Sequence, residues 1–224
     1  MVRPTSSPPT ASATERRAPN PARRNDVTRR AILDAALDLV VASGFDALSV
    51  EAIAKRAGVG KQTIYRWWPS KGAVLLDAFT EHRVEDRASV SVLGALDSGD
   101  FARDVRRILR DTVRAFATPT WEAPYRAITV AIQSDPELHA QTFERLVGPS
   151  LDDVRTWLAQ AQARGQVRSD LDLDVAVEML LGPMFHRWLL GTAPLSDAYA
   201  DTLADAMILA LTPGPMDATP GSAA

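Results

Sequence analysis

A run of hydrogen-bond donors at residues 61–66 has the residue types and spacing that could perform chemistry in this 224-residue chain. The run reads Lys61-Gln62-Thr63-Ile64-Tyr65-Arg66. Lys and Arg bind phosphate and guanine, Gln pairs with adenine, and the Thr methyl packs on a thymine methyl. A solvated helix face carries similar residues, so the run alone leaves both interpretations open.

Two short helices joined by a tight turn are predicted to position this run. Ser49 can cap the first helix by accepting a bond from a free backbone N–H. Apolar or small residues then recur with helical periodicity, at Val50, Ile53, Ala54 and Ala57. Gly58 follows where a helix that ends in the left-handed region favours glycine. The second helix is predicted over residues 61–67, with Ile64 facing the first, and this order is the pattern of a helix-turn-helix.

Residues for catalysis or metal binding are not grouped in the sequence. His82, His139 and His186 fall in separate predicted helices, without the spacing of a zinc or iron site. The chain contains no cysteine, which excludes disulfides and thiolate metal sites. Phosphate-cradling glycine loops and a GxSxG motif are absent as well. We therefore expect no catalytic site, no metal and no cofactor.

Charge is divided unevenly along the chain. Residues 1–72 contain 12 Lys and Arg against 6 Asp and Glu, a net +6, and the remainder contains 13 against 22, a net −9, which gives −3 overall. A basic part joined to an acidic part suits a protein that binds a polyanion with one end. No apolar run approaches the roughly 20 residues that span a bilayer, and no signal peptide is visible. We expect a cytoplasmic protein without membrane contact.

The residues around the motif resemble the TetR family of one-component transcriptional regulators. The resemblance runs from about Arg29 to Leu76 and rests on Gly44-Phe45, Ala57-Gly58-Val59, Tyr65, Trp68 and Lys71. The chain departs from the family pattern at Gly60, where serine is more frequent, and at Trp68, where phenylalanine is more frequent. The resemblance implies an all-α fold, with an N-terminal three-helix helix-turn-helix domain and a C-terminal helical bundle for ligand binding and dimerisation.

The same resemblance implies a double-stranded DNA operator as partner. The expected DNA contacts are Ser49, Lys61, Gln62, Thr63, Tyr65, Arg66 and Lys71. Lys71 is implied to bind a phosphate. Arg29 and Arg30, near the start of the first helix, either reach phosphates as well or stay as exposed surface arginines.

The chain is expected to divide into four segments. These are a disordered basic arm at 1–25, the DNA-binding domain at 26–72 with its motif at 49–68, the effector and dimerisation domain at 73–212, and a disordered tail at 213–224. The arm is either a solvated tail or adds phosphate or minor-groove contacts. Predicted helices cover 27–43 with Asp26 as cap, 71–96, 101–117, 121–134, 137–147, 150–164, 173–190 and 197–211. Gly148-Pro149 is expected to interrupt the helix that precedes it, and Gly182-Pro183 is expected to kink the helix 173–190.

Aromatic, Met and His residues of the acidic part are candidates for an apolar pocket. They are Trp121, Tyr125, Phe143, Trp157, Met179, Met184, Phe185, His186 and Trp188. Plain core packing is the alternative for such residues. By resemblance, the last two helices form a homodimer, with candidates Val177, Leu181, Trp188, Leu203, Met207 and Ile208. The acidic balance of this part favours an apolar or cationic effector over an anion.

These observations predict a dimeric, ligand-responsive regulator, most simply a repressor that leaves a pseudo-palindromic operator when a small molecule binds. Two alternatives stay open. One is a DNA-binding dimer without an effector. The other is an α-helical enzyme with an incidental helix-turn-helix, against which the absence of an acid–base or metal constellation argues.

Overall fold

Every regular element in the described part of the chain is helical. The computed structural model describes residues 21–85 and 97–214, with side chains described at 25–83 and 97–214. The helices are α1 (Pro21–Ala47), α2 (Val50–Ala57), α3 (Lys61–Tyr65), α4 (Lys71–Glu85), α5 (Phe101–Ala117), α6 (Pro119–Ala131), α7 (Pro136–Thr142), α8 (Gly148–Ala163), α9 (Leu173–Leu190) and α10 (Asp197–Leu211). A π-helical turn, Phe143–Val147, joins α7 to α8. The predicted all-α fold is confirmed.

The N-terminal boundary differs from the prediction. Because α1 begins at Pro21, residues 21–25 are helical and Asp26 lies inside the helix rather than capping it. Gly44 interrupts α1 with φ 76° and ψ 177°, close to the predicted helix end. The rest of the predicted arm, the end of the predicted 71–96 helix and most of the C-terminal tail lie outside the described residues.

The predicted break at Gly148-Pro149 was wrong. These residues are the first two of α8, and the chain passes from α7 through the π turn into α8 without leaving a helical conformation. Proline is tolerated there because the first N–H groups of a helix need no partner inside it. Across Gly182-Pro183, α9 also stays one element.

Local hydrogen bonds define the helix-turn-helix. Ser49 Oγ accepts from the Ala52 amide at 3.1 Å, and Gly58 adopts φ 68° and ψ 32°. Ile64 is fully buried against α2. The amides of residues 67 and 68 both bond to the Ile64 carbonyl, at 2.9 and 3.0 Å. This tight turn ends α3 at Tyr65, two residues before the predicted end.

Two apolar cores hold the described helices together, and the first contains residues from both sides of the predicted boundary after residue 72. The first core holds α1 to α4 together with Ala127, Ile128, Leu138 and Leu146 of α6, α7 and the π turn. The second core is built from α5, α8, α9 and α10. Rings from both sides meet in a bridging aromatic cluster, formed by Phe79, Phe116, Trp121, Tyr125, Phe185 and Trp188. The helix-turn-helix therefore rests directly on helices of the C-terminal part.

Three ion pairs align α5 with α10. Arg106, Arg110 and Arg114 reach Asp205, Asp201 and Asp197 at 2.7, 2.6 and 3.0 Å. Each pair is exposed and contributes little free energy. Because the partners recur every four residues on both antiparallel helices, the pairs fix the register of the second core.

Two glycines of the turn should respond oppositely to substitution. Gly58→Ala is expected to lower the free energy of unfolding by about 1–2 kcal/mol, because a Cβ strains the left-handed backbone. Gly60 precedes α3 with φ −80° and ψ 148° and gives no side-chain cap. Gly60→Ser should therefore add a few tenths of a kcal/mol. Thermal unfolding measures both changes, and equal shifts would contradict the backbone geometry.

Candidate DNA-binding surface and ligand cavity

The donor run lies together on the exposed face of α3. Lys61, Gln62, Tyr65 and Arg66 are exposed, Thr63 is partly covered, and Ile64 alone points fully inward. The Tyr65 side chain is 52% exposed, unusual for a large ring in a packed helix pair. The short helix therefore presents hydrogen-bond donors to solvent as one surface.

A carboxylate from α2 stands beside this surface. Lys61 Nζ lies 2.9 Å from Glu51 Oε1, and the two side chains are 54% and 63% exposed. The hydrogen bond between them lowers the pKa of Glu51 and raises that of Lys61. The Arg66 guanidinium lies 5.1 Å above the Trp67 ring. A DNA phosphate approaching Lys61 would have to compete with Glu51.

Lys71 has a structural role that the resemblance did not imply. Its Nζ donates to the carbonyls of Phe45 and Leu48, at 3.1 and 2.8 Å, and lies 4.2 Å from the Phe45 ring centroid. These carbonyls follow the interruption of α1 at Gly44. An ammonium has three N–H donors, and these two carbonyls accept from two of them.

Arg29, one of the two candidate phosphate contacts of α1, forms ion pairs with carboxylates in this structure. It binds Asp77 at 3.0 Å and also pairs with Glu81, both on α4. Arg30 pairs with Asp34 at 2.9 Å on the surface of α1. Sequence reasoning missed the role of Arg29 because its partners lie 48 and more residues away.

A single carboxylate connects Trp68, which follows α3, with the C-terminal part. Asp77 Oδ2 accepts from Trp68 Nε1 at 2.8 Å and from Arg29 at 3.0 Å, while Oδ1 lies 2.7 Å from Arg145 of the π turn. We call this group of four residues the Asp77 junction. Burial raises the pKa of Asp77, but the hydrogen bonds from Trp68, Arg145 and Arg29 outweigh it and lower the pKa. No local sequence signal relates Arg145 to Asp77.

A cavity of about 840 Å³ opens between α6, α7, the π turn, α8 and α9. Its lining is mostly apolar, with polar and charged groups from Gln133, His139, Thr142, Asp152, Arg155, Asp174, Glu178 and His186. Four of the nine predicted pocket residues line it, namely Tyr125, Phe143, Phe185 and His186.

The other five predicted pocket residues lie outside this lining, which corrects their assignment. Trp157 stacks on Phe101 at 5.1 Å in the second core, where Met184 is buried and Met179 packs. Trp121 belongs to the bridging aromatic cluster. Trp188 is 6% exposed, and its Nε1 donates to Glu122 at 2.9 Å. These side chains pack between helices, which is the alternative to a ligand pocket for residues of these types.

The π turn touches the cavity and the Asp77 junction at once. Phe143 and Val147 line the cavity, while Arg145 between them reaches Asp77. A Cβ on Gly148 would lie 3.0 Å from the Phe143 carbonyl, so the chain after the turn is tightly packed. Single π turns are frequent at functional sites. A ligand that displaces Phe143 or Val147 would therefore act on a segment bonded to α4.

The predicted dimer residues also need correction. Val177, Trp188 and Leu203 are only 5%, 6% and 8% exposed, because they pack inside one protomer. Leu181 lines the cavity, and Met207 and Ile208 pack partly on the second core. The large apolar side chains exposed on the last two helices are instead Val175, Leu189, Leu190 and Leu209.

Within the described ranges, no helix is long and apolar enough to cross a membrane. Nor do three or more His, Asp or Glu side chains of those ranges group as metal ligands. A helix-turn-helix with exposed donors, joined to a helical domain with an apolar cavity, is the architecture of a DNA-binding transcriptional regulator.

Comparison with known families specifies this class. Residues 32–78 match the model described as bacterial regulatory proteins, tetR family, and residues 95–207 match the model of the tetracyclin repressor-like C-terminal domain. The chain belongs to the TetR family of transcriptional regulators, a class of proteins that are not enzymes.

Individual proteins agree with this assignment. An uncharacterized HTH-type transcriptional regulator of Bacillus subtilis (strain 168), YdeS, is 33% identical over 180 residues, 80% of this chain and 87% of that protein. A DNA-binding transcriptional repressor TetR of Mycobacteroides abscessus is 28% identical over 188 residues, 84% of this chain and 95% of that protein. The crystal structure of the TetR family regulator SCO0332 superposes with a TM-score of 0.63 at 31% identity, covering 83% of this chain and 99% of that one.

Glu51→Gln should tighten DNA binding, because it removes a negative charge from the surface and releases Lys61. We expect roughly two- to fivefold tighter binding at low salt, with the gain shrinking as salt screens the charges. Fluorescence anisotropy with labelled duplex measures it. The control is Asp205→Asn, which removes a similar exposed pair from α10. Equal affinities of both variants and the wild type would show that Glu51 does not compete with DNA.

Arg145→Gln and Asp77→Asn should have non-additive effects on stability. Because the two side chains are in contact, urea unfolding of the single and double variants should give a coupling free energy of about 1 kcal/mol. The matched control combines Asp77→Asn with Arg155→Gln, since Arg155 pairs with Asp174 instead. Additive effects in both cycles would remove Arg145 from the junction.

Proposed function

We propose that the protein is a repressor that binds a pseudo-palindromic operator as a dimer and is released by a small-molecule effector. This proposal rests on a series of contacts that runs from the cavity to the residue directly after α3. The π turn lines the cavity, Arg145 of that turn binds Asp77, and Asp77 binds Trp68 directly after α3.

DNA would be read by α3 in the major groove. Gln62 and Arg66 have the donors for base edges, while Lys61, Tyr65 and the remaining N–H of Lys71 suit phosphates. Ser49 and Thr63 lie at the edges of the same surface, although Ser49 Oγ already accepts from Ala52. Two recognition helices in one dimer imply half-sites about 10 bp apart, or a multiple of that spacing.

Release of DNA requires an effector that binds the DNA-incompetent arrangement more tightly than the competent one. A cavity of about 840 Å³ is large enough for a drug-sized molecule. Its apolar lining suits an apolar body. Net charge alone, through the acidic balance of the C-terminal part, favours an apolar or cationic effector.

Dimerisation is assigned to α9 and α10. Val175, Leu190 and Leu209 are 48%, 63% and 82% exposed, and burying them against a second copy would remove apolar surface from water. A two-fold axis would place the same patch on both subunits. A dimer of this kind would act in the cytoplasm, where bacterial DNA is accessible.

The test is binding to the DNA just upstream of the protein's own gene, compared with a scrambled duplex over a salt series. Sequence-specific regulation predicts roughly 10³-fold or tighter preference for the upstream DNA. Equal and steeply salt-dependent binding to both duplexes would contradict regulation from this site. With the operator in hand, loss of binding on addition of a compound distinguishes an effector-responsive repressor from a DNA-binding dimer without an effector.

Gln62→Ala should relax base preference at one operator position. If Gln62 makes a bidentate contact with adenine, the loss of discrimination is about 1–3 kcal/mol at that position and small elsewhere. Anisotropy against a set of single-base operator variants measures it. Gln160→Ala on α8, exposed and remote from α3, is the control. Equal losses on operator and random DNA would refute the base contact.

A further inference from the structure

One arginine of α4 has no counter-charge within the described residues. Arg83 lies one turn after Phe79, and its side chain is partly covered. The Phe79 ring lies 5.8 Å from the Trp121 ring and 6.0 Å from the Tyr125 ring, and Tyr125 lines the cavity. Burial lowers its pKa, Tyr125 acts in the opposite direction, and no carboxylate is among the causes of that shift. Within residues 25–83 and 97–214, no side chain or carbonyl forms a hydrogen bond or ion pair with it. Arg29 and Arg145, by contrast, both pair with Asp77.

A guanidinium that is covered and unpaired is unfavourable unless an acceptor or an opposite charge binds it. A covered guanidinium loses hydration and regains it only through hydrogen bonds or an opposite charge. Proteins therefore pair their buried charges. An Arg that stays unpaired in the free protein is suited to a partner that arrives from outside.

A second donor in the same neighbourhood also lacks an acceptor. Trp121 Nε1 is buried and has no hydrogen-bond partner. Trp121 stacks on Tyr125 with ring centroids 4.6 Å apart, and the charge of Arg83 acts on the Tyr125 hydroxyl. Arg and the indole N–H are donors only. The missing component beside Tyr125 is an acceptor, and charge-assisted hydrogen bonds make an oxyanion the strongest one.

Tyr125 connects this neighbourhood to the cavity. Tyr125 and Phe185 both line the cavity, and their ring centroids are 6.3 Å apart. The lining also contains three carboxylates, and two of them, Asp174 and Glu178, precede Phe185 on α9. Glu178 and Phe185 are seven residues apart on α9, which corresponds to about 10 Å along a helix. An elongated ligand with one anionic end would be oriented by this charge distribution.

We propose that Arg83 anchors the oxyanion head group of the effector, an amphiphile whose apolar part occupies the cavity. The proposal rests on the effector response proposed above and names its ligand class. It replaces the expectation of a cationic effector. Because α4 also carries Asp77, a ligand held at Arg83 and in the cavity would contact α4 at one end and the π turn at the other.

The test uses ligands of equal tail length and different head groups. Decanoate, decyl phosphate, decanol and decyltrimethylammonium are titrated below their micelle concentrations into the full chain, and binding is measured by calorimetry. We expect decanoate or decyl phosphate to bind roughly tenfold or more tightly than decanol, as charge-assisted hydrogen bonds require. Comparison of the two anions shows whether the head group is a carboxylate or a phosphate.

Substitutions of single arginines test which of them binds the head group. Arg83→Met should abolish the preference for the anion, and Arg83→Lys should retain part of it. Arg155 is the rival anchor, because it is the arginine of the cavity lining. Arg114→Met, which breaks an exposed pair with Asp197, is the surface control. Loss of the preference in Arg155→Met and not in Arg83→Met would overturn the proposal.

Stability of the free protein gives an independent readout. Since Arg83→Met removes an unpaired covered charge, its melting temperature should rise by about 2–4 °C, whereas a merely structural arginine would lower it on removal. A fall in melting temperature overturns the proposal, as does tighter binding of decanol or of the cation. Failure of the whole panel to bind also overturns the anionic anchor, but leaves operator recognition intact, because that is measured on DNA alone.

Discussion

Asp77 is a carboxylate that stays charged while it is only 18% exposed, and this requirement organises the molecule. Its partners come from three places: Arg29 on α1, Trp68 after α3 and Arg145 in the π turn. Leaving such a group unpaired costs several kcal/mol. A single side chain therefore connects α1, the residue after α3 and the π turn of the cavity wall.

The contacts of the Asp77 junction can break one at a time. Trp68 and Arg29 share Oδ2, whereas Arg145 alone occupies Oδ1. Arg145 is 40% exposed, so water can replace it at modest cost. Trp68 is 4% exposed and would leave its indole N–H unsatisfied. In the proposed switch, a movement of the π turn would release the C-terminal side of Asp77 first, while the helix-turn-helix would keep its own contacts.

Local rules were enough to predict many elements from the sequence. The cap at Ser49, the left-handed Gly58 and the helices 101–117, 173–190 and 197–211 each depend on neighbours within a few residues. The Asp77 junction and the cavity lining depend on contacts between distant segments. An amphipathic pattern indicates that Trp157 or Met184 is buried, but not whether it faces a cavity or a core. Gly148-Pro149 was misjudged for a related reason, since proline at the first turn favours a helix as readily as it ends one.

The net charge of residues 73–224 also fails to predict which charges a ligand would meet. The net −9 of residues 73–224 led to the expectation of a neutral or cationic effector. Much of that charge, including Asp174 at 74% exposure, lies in water, where salt screens it within about 8 Å. Recognition depends instead on the few groups that have already lost their hydration. Arg83 is such a group, and it is carried by the helix that also carries Asp77. If Arg83 receives the charge of the ligand as proposed, ligand charge and DNA affinity would be coupled through α4, because this helix also carries Asp77.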